Sequence, residues 1–377
     1  MSTLKVNKLR DTSGSTDAIT LDPNGGAVLA GVTTVTTVKA GVGVTITTDG
    51  INAVGVAITC ANINENQIGG RRNFFMNGAM QVHQRNVSIT ASGSYGIDRW
   101  WLAHSGTSTM ARSTTVPSGE GFDYSLKVSN ISGGDAAIGQ PIELTAAGKQ
   151  GGLASGKKIT FSFYGKCDSG TDGISVICNF RESKYSATNQ VSFTGSGSGV
   201  TLTTTWTRFV VTMTIPTCHS GSTMAAFELN GISGTSHFTG FQVEIGEQAT
   251  PFEHHSLAEE LALCQRYFLR LSPATAYAAY GVGGAYSSTQ AVAQIHFPVP
   301  MRASPTFSYN GALNTYYDIV GGFGSFSEIN HTQTMGSAAT GYTSVNLQVV
   351  GSGTAGKAFM LATYNNTDTY LDFNSEL

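Results

Sequence analysis

Between residues 95 and 101 the chain reads Tyr-Gly-Ile-Asp-Arg-Trp-Trp, placing a phenol, a carboxylate, a guanidinium and two indoles within seven positions. These groups can hold a sugar. A pyranose ring stacks its axial C–H groups on an aromatic face, while polar side chains bond its hydroxyls. Neighbouring residues of a strand point to opposite sides, so Trp100 and Trp101 separate into one inward and one outward indole. Trp100 reads as the core anchor and Trp101 as the platform, with Tyr95, Asp98 and Arg99 supplying hydrogen bonds. The competing reading makes Asp98 and Arg99 members of structural ion pairs. A second candidate set is Tyr277, Tyr280, Tyr286, Tyr316 and Tyr317, in Gly- and Ser-rich text near the C-terminal end. Tyrosine offers contact area and a hydroxyl at low entropic cost. Ordinary loop tyrosines or contacts between subunits account for them equally.

Catalysis has weaker support. A glycosidase needs two carboxyl groups across the sugar bond. Only 24 of 377 residues are Asp or Glu, and several have local roles: Asp49, Asp168 and Asp172 in turns, Glu259 at a helix start. No G-x-S-x-G, H-E-x-x-H or P-loop occurs, and no coil repeat of 20–30 residues suggests a polysaccharide-cutting β-helix. His254 and His255 are adjacent, so in an extended segment they point apart and share no metal. The five cysteines (Cys60, Cys167, Cys178, Cys218, Cys264) are odd in number and lack zinc-site spacing. We therefore expect no enzyme activity, no cofactor and no metal. A net charge of −3 gives no basic face for nucleic acid.

The elements that must position these groups are β-strands. Charged residues are 12% of the chain, about half the usual share, while glycines number 46. Thr- and Val-rich runs broken by Gly imply strands and turns. Residues 1–70 contain no aromatic residue, so they lack a large side chain around which to build a core. The alternation of Val35, Val38, Val42, Val44 and Ile46 suggests short strands that several chains stabilise together, as in homotrimeric β-fibres. Residues 71–253 offer about eight strands, among them FFMNGAMQV, STMARSTT, YSLKVSNI, TRFVVTMTI and FTGFQVEIG, enough for a jelly roll. The run ITFSFYGKC-DSGTDG-ISVICNF reads as a hairpin that sets Ile174 opposite Cys167 and Cys178 opposite Phe163, with both cysteines reduced. Ser256 and Glu259 form a capping box for a helix over 256–271, with Leu257, Leu261, Cys264, Phe268 and Leu271 as its apolar stripe. Residues 276–377 return to strands as a second, smaller β-sandwich. The opening MSTLKVNKLRDTSGS has no signal-peptide h-region, and no window approaches the ~20 apolar residues of a membrane span. A protein made in the cytoplasm, without membrane insertion, is expected.

Several of these segments resemble a family. RRNFFMNGAMQVHQRN followed by YGIDRWW is similar to the start of the carbohydrate-binding-module-like domains of phage tail-fibre and receptor-binding proteins. The shared residues are Asn73, Asn77, Gly78, Gln84, Arg85, Asp98, Arg99 and Trp100. FQVEIGEQATPFEHHSLAEELALCQRYF resembles their final strand and the helix after it, through Glu244, Gly246, Thr250, Pro251, Phe252, Glu253 and Cys264-Gln265-Arg266-Tyr267. FPVPMRASPTF and DFNSEL look like the C-terminal domain that follows in such fibres. His83 stands where some relatives carry tryptophan, which removes an aromatic platform at that point. STLKVNKLRDTSGS resembles, more loosely, the openings of marine and cyanobacterial phage structural proteins.

The expected protein is all-β: a virion-anchoring arm and β-shaft (1–70), a jelly-roll sandwich (71–253), a connecting helix (254–275) and a C-terminal β-sandwich tip (276–377). The resemblance implies a homotrimeric tail fibre of the virion that binds a host-surface polysaccharide such as lipopolysaccharide without cleaving it. It also implies docking on another tail protein through the N-terminal arm. The low charge fits neutral sugar hydroxyls. A glycan-cleaving tailspike and a purely structural virion part are the alternatives.

Overall fold

The computed structural model describes short strands within residues 8–53. From residue 71 onward it describes every residue except 145–152, 154, 183–189, 196–197, 218–221, 313–316, 322 and 338–340. The chain forms two compact units, Met1–Ala61 and Asn62–Leu377. The first contains two three-stranded antiparallel sheets, one from Lys8–Leu9, Ile19–Leu21 and Ala27–Leu29, the other from Thr37–Ala40, Val44–Thr47 and Gly50–Ala53. Val38 pairs with Ile46 in the second sheet.

The second unit is all-β apart from one helix among the described residues. Its larger part is a sandwich of two antiparallel sheets. One orders the strands Thr207–Thr214, Lys158–Cys167, Thr235–Ile245, Ser125–Ser132 and Thr107–Ser113. The other orders Val191–Phe193, Asp172–Arg181, Met224–Ile232, Ala136–Glu143, Trp101–His104 and Ser94–Tyr95, with Gly199–Leu202 also on the Asp172 strand. The chain switches sheets at most connections, as in a jelly roll. The core lies between the inward faces: Phe161, Phe163 and Val211 from one sheet, Ile138, Val176, Cys178, Phe180 and Phe227 from the other. Phe75 is its centre, with ring centroids 5.3 Å from Trp100, 5.4 Å from Phe161 and 5.6 Å from Phe227.

Three expectations are corrected. Lys158–Cys167 and Asp172–Arg181 are not a hairpin; each pairs with other strands, in opposite sheets. The residues between them cross the sandwich, because both strands bury large apolar faces that must meet across a core rather than within one sheet. Cys167, Cys178 and Cys264 are all buried; Cys60 and Cys218 lie outside the described residues. The FFMNGAMQV segment is not a strand. Asn77 and Met80 adopt φ of 56° and 57°, so the backbone turns there; Phe74 N–H to Val243 O, Phe241 N–H to Gly78 O and the Gln140 side chain, bonded to both Met76 N–H and Met76 O, tie it to the two sheets.

The third correction concerns the helix, which spans Leu257–Gln265. Ser256 caps it by accepting the Glu259 N–H at 3.3 Å. Its buried residues are Glu260 and Cys264, while Leu257 is exposed. Phe268–Leu271 is a strand that pairs with Leu371–Asn374. Pairing satisfies the backbone of this short apolar run at a sheet, where helix propensity alone is a weak guide. Leu371–Asn374 also pairs with Thr306–Tyr309, and this three-stranded sheet faces a six-stranded one. The latter orders Tyr317–Gly321, Ala358–Thr363, Ala279–Ala285, Gln290–Met301, Gly341–Gly353 and Phe323–Ser337. Ala291, Ala293, Ile295 and Phe297 alternate inward along one strand to meet Leu347, Val349, Leu361 and Phe373 in a second core.

Candidate functional site

The residues first singled out for sugar chemistry are brought together, but as a buried joint. Arg99 takes a left-handed φ of 71° just before the strand Trp101–His104. Trp100 therefore lies in a turn, the strand alternation does not apply to it, and both indoles are buried. Trp100 Nε1–H donates to Asn77 O at 3.1 Å. Trp101 lies outside the sandwich core and packs on Gly139, where an added Cβ would sit 2.8 Å from its Cζ2. Trp101 thus has no free face for a ring.

Asp98 is fully buried. It accepts the Gln84 N–H at Oδ2 and the Gln84 Nε2–H at Oδ1, each at 2.7 Å. Burial pushes its carboxyl above the ordinary range, against the opposing pull of Arg85 and the Gln84 bonds. Arg99 is 1% exposed. It donates to Glu376 and to Pro141 O, with its guanidinium carbon 3.5 Å from the centre of the Tyr267 ring. Arg85 pairs with Glu376 at 3.4 Å and covers the Phe268 ring at 3.6 Å. Arg270 holds Asp372 through two bonds, at 2.8 and 2.7 Å, and donates to Arg85 O. The segment 84–99 is thereby welded to the C-terminal sheet. The structural ion-pair reading applies to Asp98 and Arg99, and neither is open to a ligand.

Other residues shared with the resembled family close the sandwich in the same way. Glu253 accepts the N–H groups of Arg72 and Asn73 at 2.9 and 2.8 Å. Glu244 binds both the N–H and the hydroxyl of Thr250. Glu260 of the helix, which is not one of those shared residues, receives Asn77 N–H, Arg71 and His255.

Tyr95 is the one member of the 95–101 set that borders open space. It donates its hydroxyl to Leu377 O at 2.8 Å and lines a groove of ≈ 500 Å³ with Arg85, Thr306, Asn374 and Glu376. Of the other tyrosines, Tyr277 and Tyr286 are exposed. They flank opposite ends of the strand Ala279–Ala285, seven residues that span roughly 23 Å at ~3.3 Å per residue, and each has its own set of partners. Tyr277 meets Tyr364 edge to face at 5.8 Å. Tyr286 donates to Gln290 and accepts from Gln348. Tyr280 is bonded to Thr369 at 2.7 Å, and burial pushes its phenol up to about 12. Tyr316 lies outside the described residues, as does the side chain of Tyr317, the first residue of its strand.

A second groove, of ≈ 340 Å³, was not anticipated. It lies between the segment 83–88 and the edge strand Thr107–Ser113, and His83, Asn86, Ser88, Arg112, Thr114 and Tyr124 line it. Its size falls within the ~300–1,000 Å³ of small-molecule sites. Arg112 donates NH1–H to Gln81 O at 3.2 Å, and its guanidinium carbon stands 4.1 Å from the centre of the Tyr124 ring. Tyr124 rests on the sandwich core. Burial, then Arg112, lowers His83 to about 4, so its imidazole is neutral at ordinary pH. The wall therefore presents an amide, hydroxyls, a neutral imidazole and a guanidinium, and no carboxylate. The signal in sequence is slight: His83 stands out only by the resemblance, and Arg112 and Tyr124 meet only when their strands pair.

No family model matches the chain, and no curated protein matches it. Solved structures similar to it include the enzymatically active domain of tailspike protein 4 from bacteriophage CBA120. That match has 17% identity and a TM-score of 0.33, over 46% of this chain and 21% of that one. Another is the CBM22-1 xylan-binding domain of Paenibacillus barcinonensis Xyn10C, at 9% identity and TM-score 0.29, over 43% of this chain and 95% of that one. A third is TmCBM61 in complex with β-1,4-galactotriose, at 14% identity and TM-score 0.27, over 47% of this chain and 100% of that one. The match thus spans about a fifth of the tailspike domain's length.

Proposed function

We propose that this protein is a glycan-binding adhesin of the phage tail-fibre type, which attaches a virion to a surface polysaccharide without cutting it. The observation that carries the reading is the ≈ 340 Å³ groove on the sandwich, lined by hydroxyl, amide, imidazole and guanidinium groups. Such groups bond sugar hydroxyls. The sequence resemblance of residues 71–377 to tail-fibre and receptor-binding proteins points the same way, as does the β-sandwich itself. Non-cleavage is supported by the lining, because glycoside hydrolysis needs two carboxyl groups flanking the bond and this groove presents none. In this reading the arm formed by residues 1–70 docks on another tail protein and the fibre is a homotrimer. Three weak sites per fibre then gain avidity through effective concentration.

Affinity electrophoresis of the full chain through gels containing lipopolysaccharides or capsular polysaccharides tests this. Retardation with the polysaccharide left at full length is the expected result. Retardation with shortened fragments would favour a glycan-cleaving tailspike. No retardation across a broad panel would leave a structural virion component as the better reading.

A further inference from the structure

The groove beside Arg112 also specifies the class of sugar, an inference that rests on the adhesive reading above. Arg71, Arg85, Arg99, Arg181, Arg266 and Arg270 each face a carboxylate within the fold. Arg208 and Arg302 are bonded to hydroxyl or carbonyl oxygens of the chain. Arg112 differs from all of these. It makes one bond, to Gln81 O, and lines an open groove without a carboxylate partner among the described residues. Its charge is permanent, because the guanidinium does not deprotonate in proteins.

The charges around it do not compensate. Arg85 and Arg270, which also bear on His83, are neutralised by Asp98, Glu376 and Asp372. His83 is neutral, and no acidic residue lines the groove. Arg112 therefore supplies the site's net charge. Tyr124 holds the guanidinium plane from one side at 4.1 Å, and Gln81 O holds one nitrogen. The remaining N–H donors have no protein partner among the described residues. A guanidinium held this way suits two-point binding of a carboxylate or phosphate. Asn86, Ser88, Ser113 and Thr114 surround it with groups that bond hydroxyls.

We propose that this groove binds an anionic sugar unit, whose carboxylate or phosphate pairs with Arg112 while its hydroxyls meet Asn86, Ser88 and Thr114. The neutral sugars suggested by the low charge of the chain are then the poorer ligands.

Calorimetric titration of the full chain with oligogalacturonate, its fully methyl-esterified form and glucose 6-phosphate tests the inference. Its two anionic arms separate a carboxylate source from a phosphate source. At least one anionic probe is expected to bind roughly ten- to a hundredfold tighter than the ester, the range of a charge-assisted bond. Arg112→Gln should abolish that preference. Thr114→Glu changes an exposed residue and keeps Arg112, yet sets a carboxylate in the groove; it should weaken the anionic probe by a similar factor. Equal binding of ester and acid, unchanged in both variants, would overturn the anionic assignment and leave the adhesive reading intact. If no probe binds and no polysaccharide retards the protein in gels, both readings fail.

Discussion

The guanidinium of Arg112 lies over the ring of Tyr124, 4.1 Å from its centre, and both residues line an open groove. The two residues are 12 positions apart in sequence and meet because Thr107–Ser113 and Ser125–Ser132 are neighbouring antiparallel strands, with Ser113 opposite Ser125. The stack fixes the plane of a long, flexible side chain before any ligand arrives, which reduces the ordering cost of binding.

That arrangement predicts a graded response at position 124. Tyr124→Phe keeps the ring and should leave glycan binding within about twofold. Tyr124→Leu removes the cation–π contact, worth about 0.5–1 kcal/mol at a partly exposed site, and should weaken binding roughly two- to fivefold. Titration of both variants beside a thermal melt separates loss of the stack from loss of fold. Equal affinity in the two variants would remove the ring from the account.

The joint between sandwich and C-terminal sheet should prove costly to break. Arg99 and the side chain of Glu376 are both buried and paired. Removing one partner takes away the other's nearest counter-charge, leaving Glu376 with Arg85 alone and Arg99 with only the Pro141 carbonyl, a loss of about 3–5 kcal/mol. Arg99→Ala and Glu376→Gln are each expected to shift denaturant unfolding by that order. The double variant should cost less than the sum of the singles, since they share one interaction. Strict additivity would show that the pair is not coupled.

The groove should also leave a mark on the pH dependence of stability. His83 is held at about 4 by burial and by Arg112, with smaller pushes from Arg85 and Arg270; its hydrogen bond to Val87 O acts in the other direction. In the unfolded chain the imidazole returns to about 6.5. Between pH ~6.5 and ~4 the unfolded state therefore binds a proton that the folded state does not, and stability falls as pH falls through this window. His83→Gln should flatten that slope, measured by urea melts at pH 4.5 and 7.5. An anion bound beside Arg112 should raise the His83 titration midpoint, which NMR of the imidazole reads directly.

At Gly139 the sandwich sheet makes room for Trp101. A Cβ there would stand 2.7 Å from Phe227 O and 2.8 Å from the indole. Gly139→Ala is expected to destabilise by about 1–3 kcal/mol, the usual cost of overpacking. Gly139→Val should cost more, with a change in tryptophan fluorescence in the folded state. An unchanged melt in both variants would mean that the indole can move aside freely.

Much of the architecture was readable residue by residue. The Val/Thr/Gly-rich text, the inward alternation of Phe209, Val211, Met213 on one strand and Phe241, Val243 on another, and the Ser256 cap all follow from local periodicity and local hydrogen bonding. The errors came where two local patterns fit one segment. Phe268 to Leu271 continue a helical stripe at the right spacing, yet they pair with Leu371–Asn374, because that partner is about a hundred residues away and leaves no local trace. ITFSFYGKC and ISVICNF look like a hairpin, yet each buries its face from an opposite sheet.

The candidate site shows the same division. Residue types alone settled that the chain is built of strands, where one helix begins, and that aromatic and polar groups cluster at 95–101. They could not tell a binding cluster from a structural one, because Asp98, Arg99 and Trp101 have the same chemistry in either role. Folding decided it by bringing Glu376, Tyr267 and Phe268 against them and removing them from solvent. Folding also left Arg112, which stands in sequence amid ordinary Ser and Thr, as a charge on an open groove without an acidic partner among the described residues. A side chain's type is a local property, whereas its exposure and its partners depend on strands far apart in the chain.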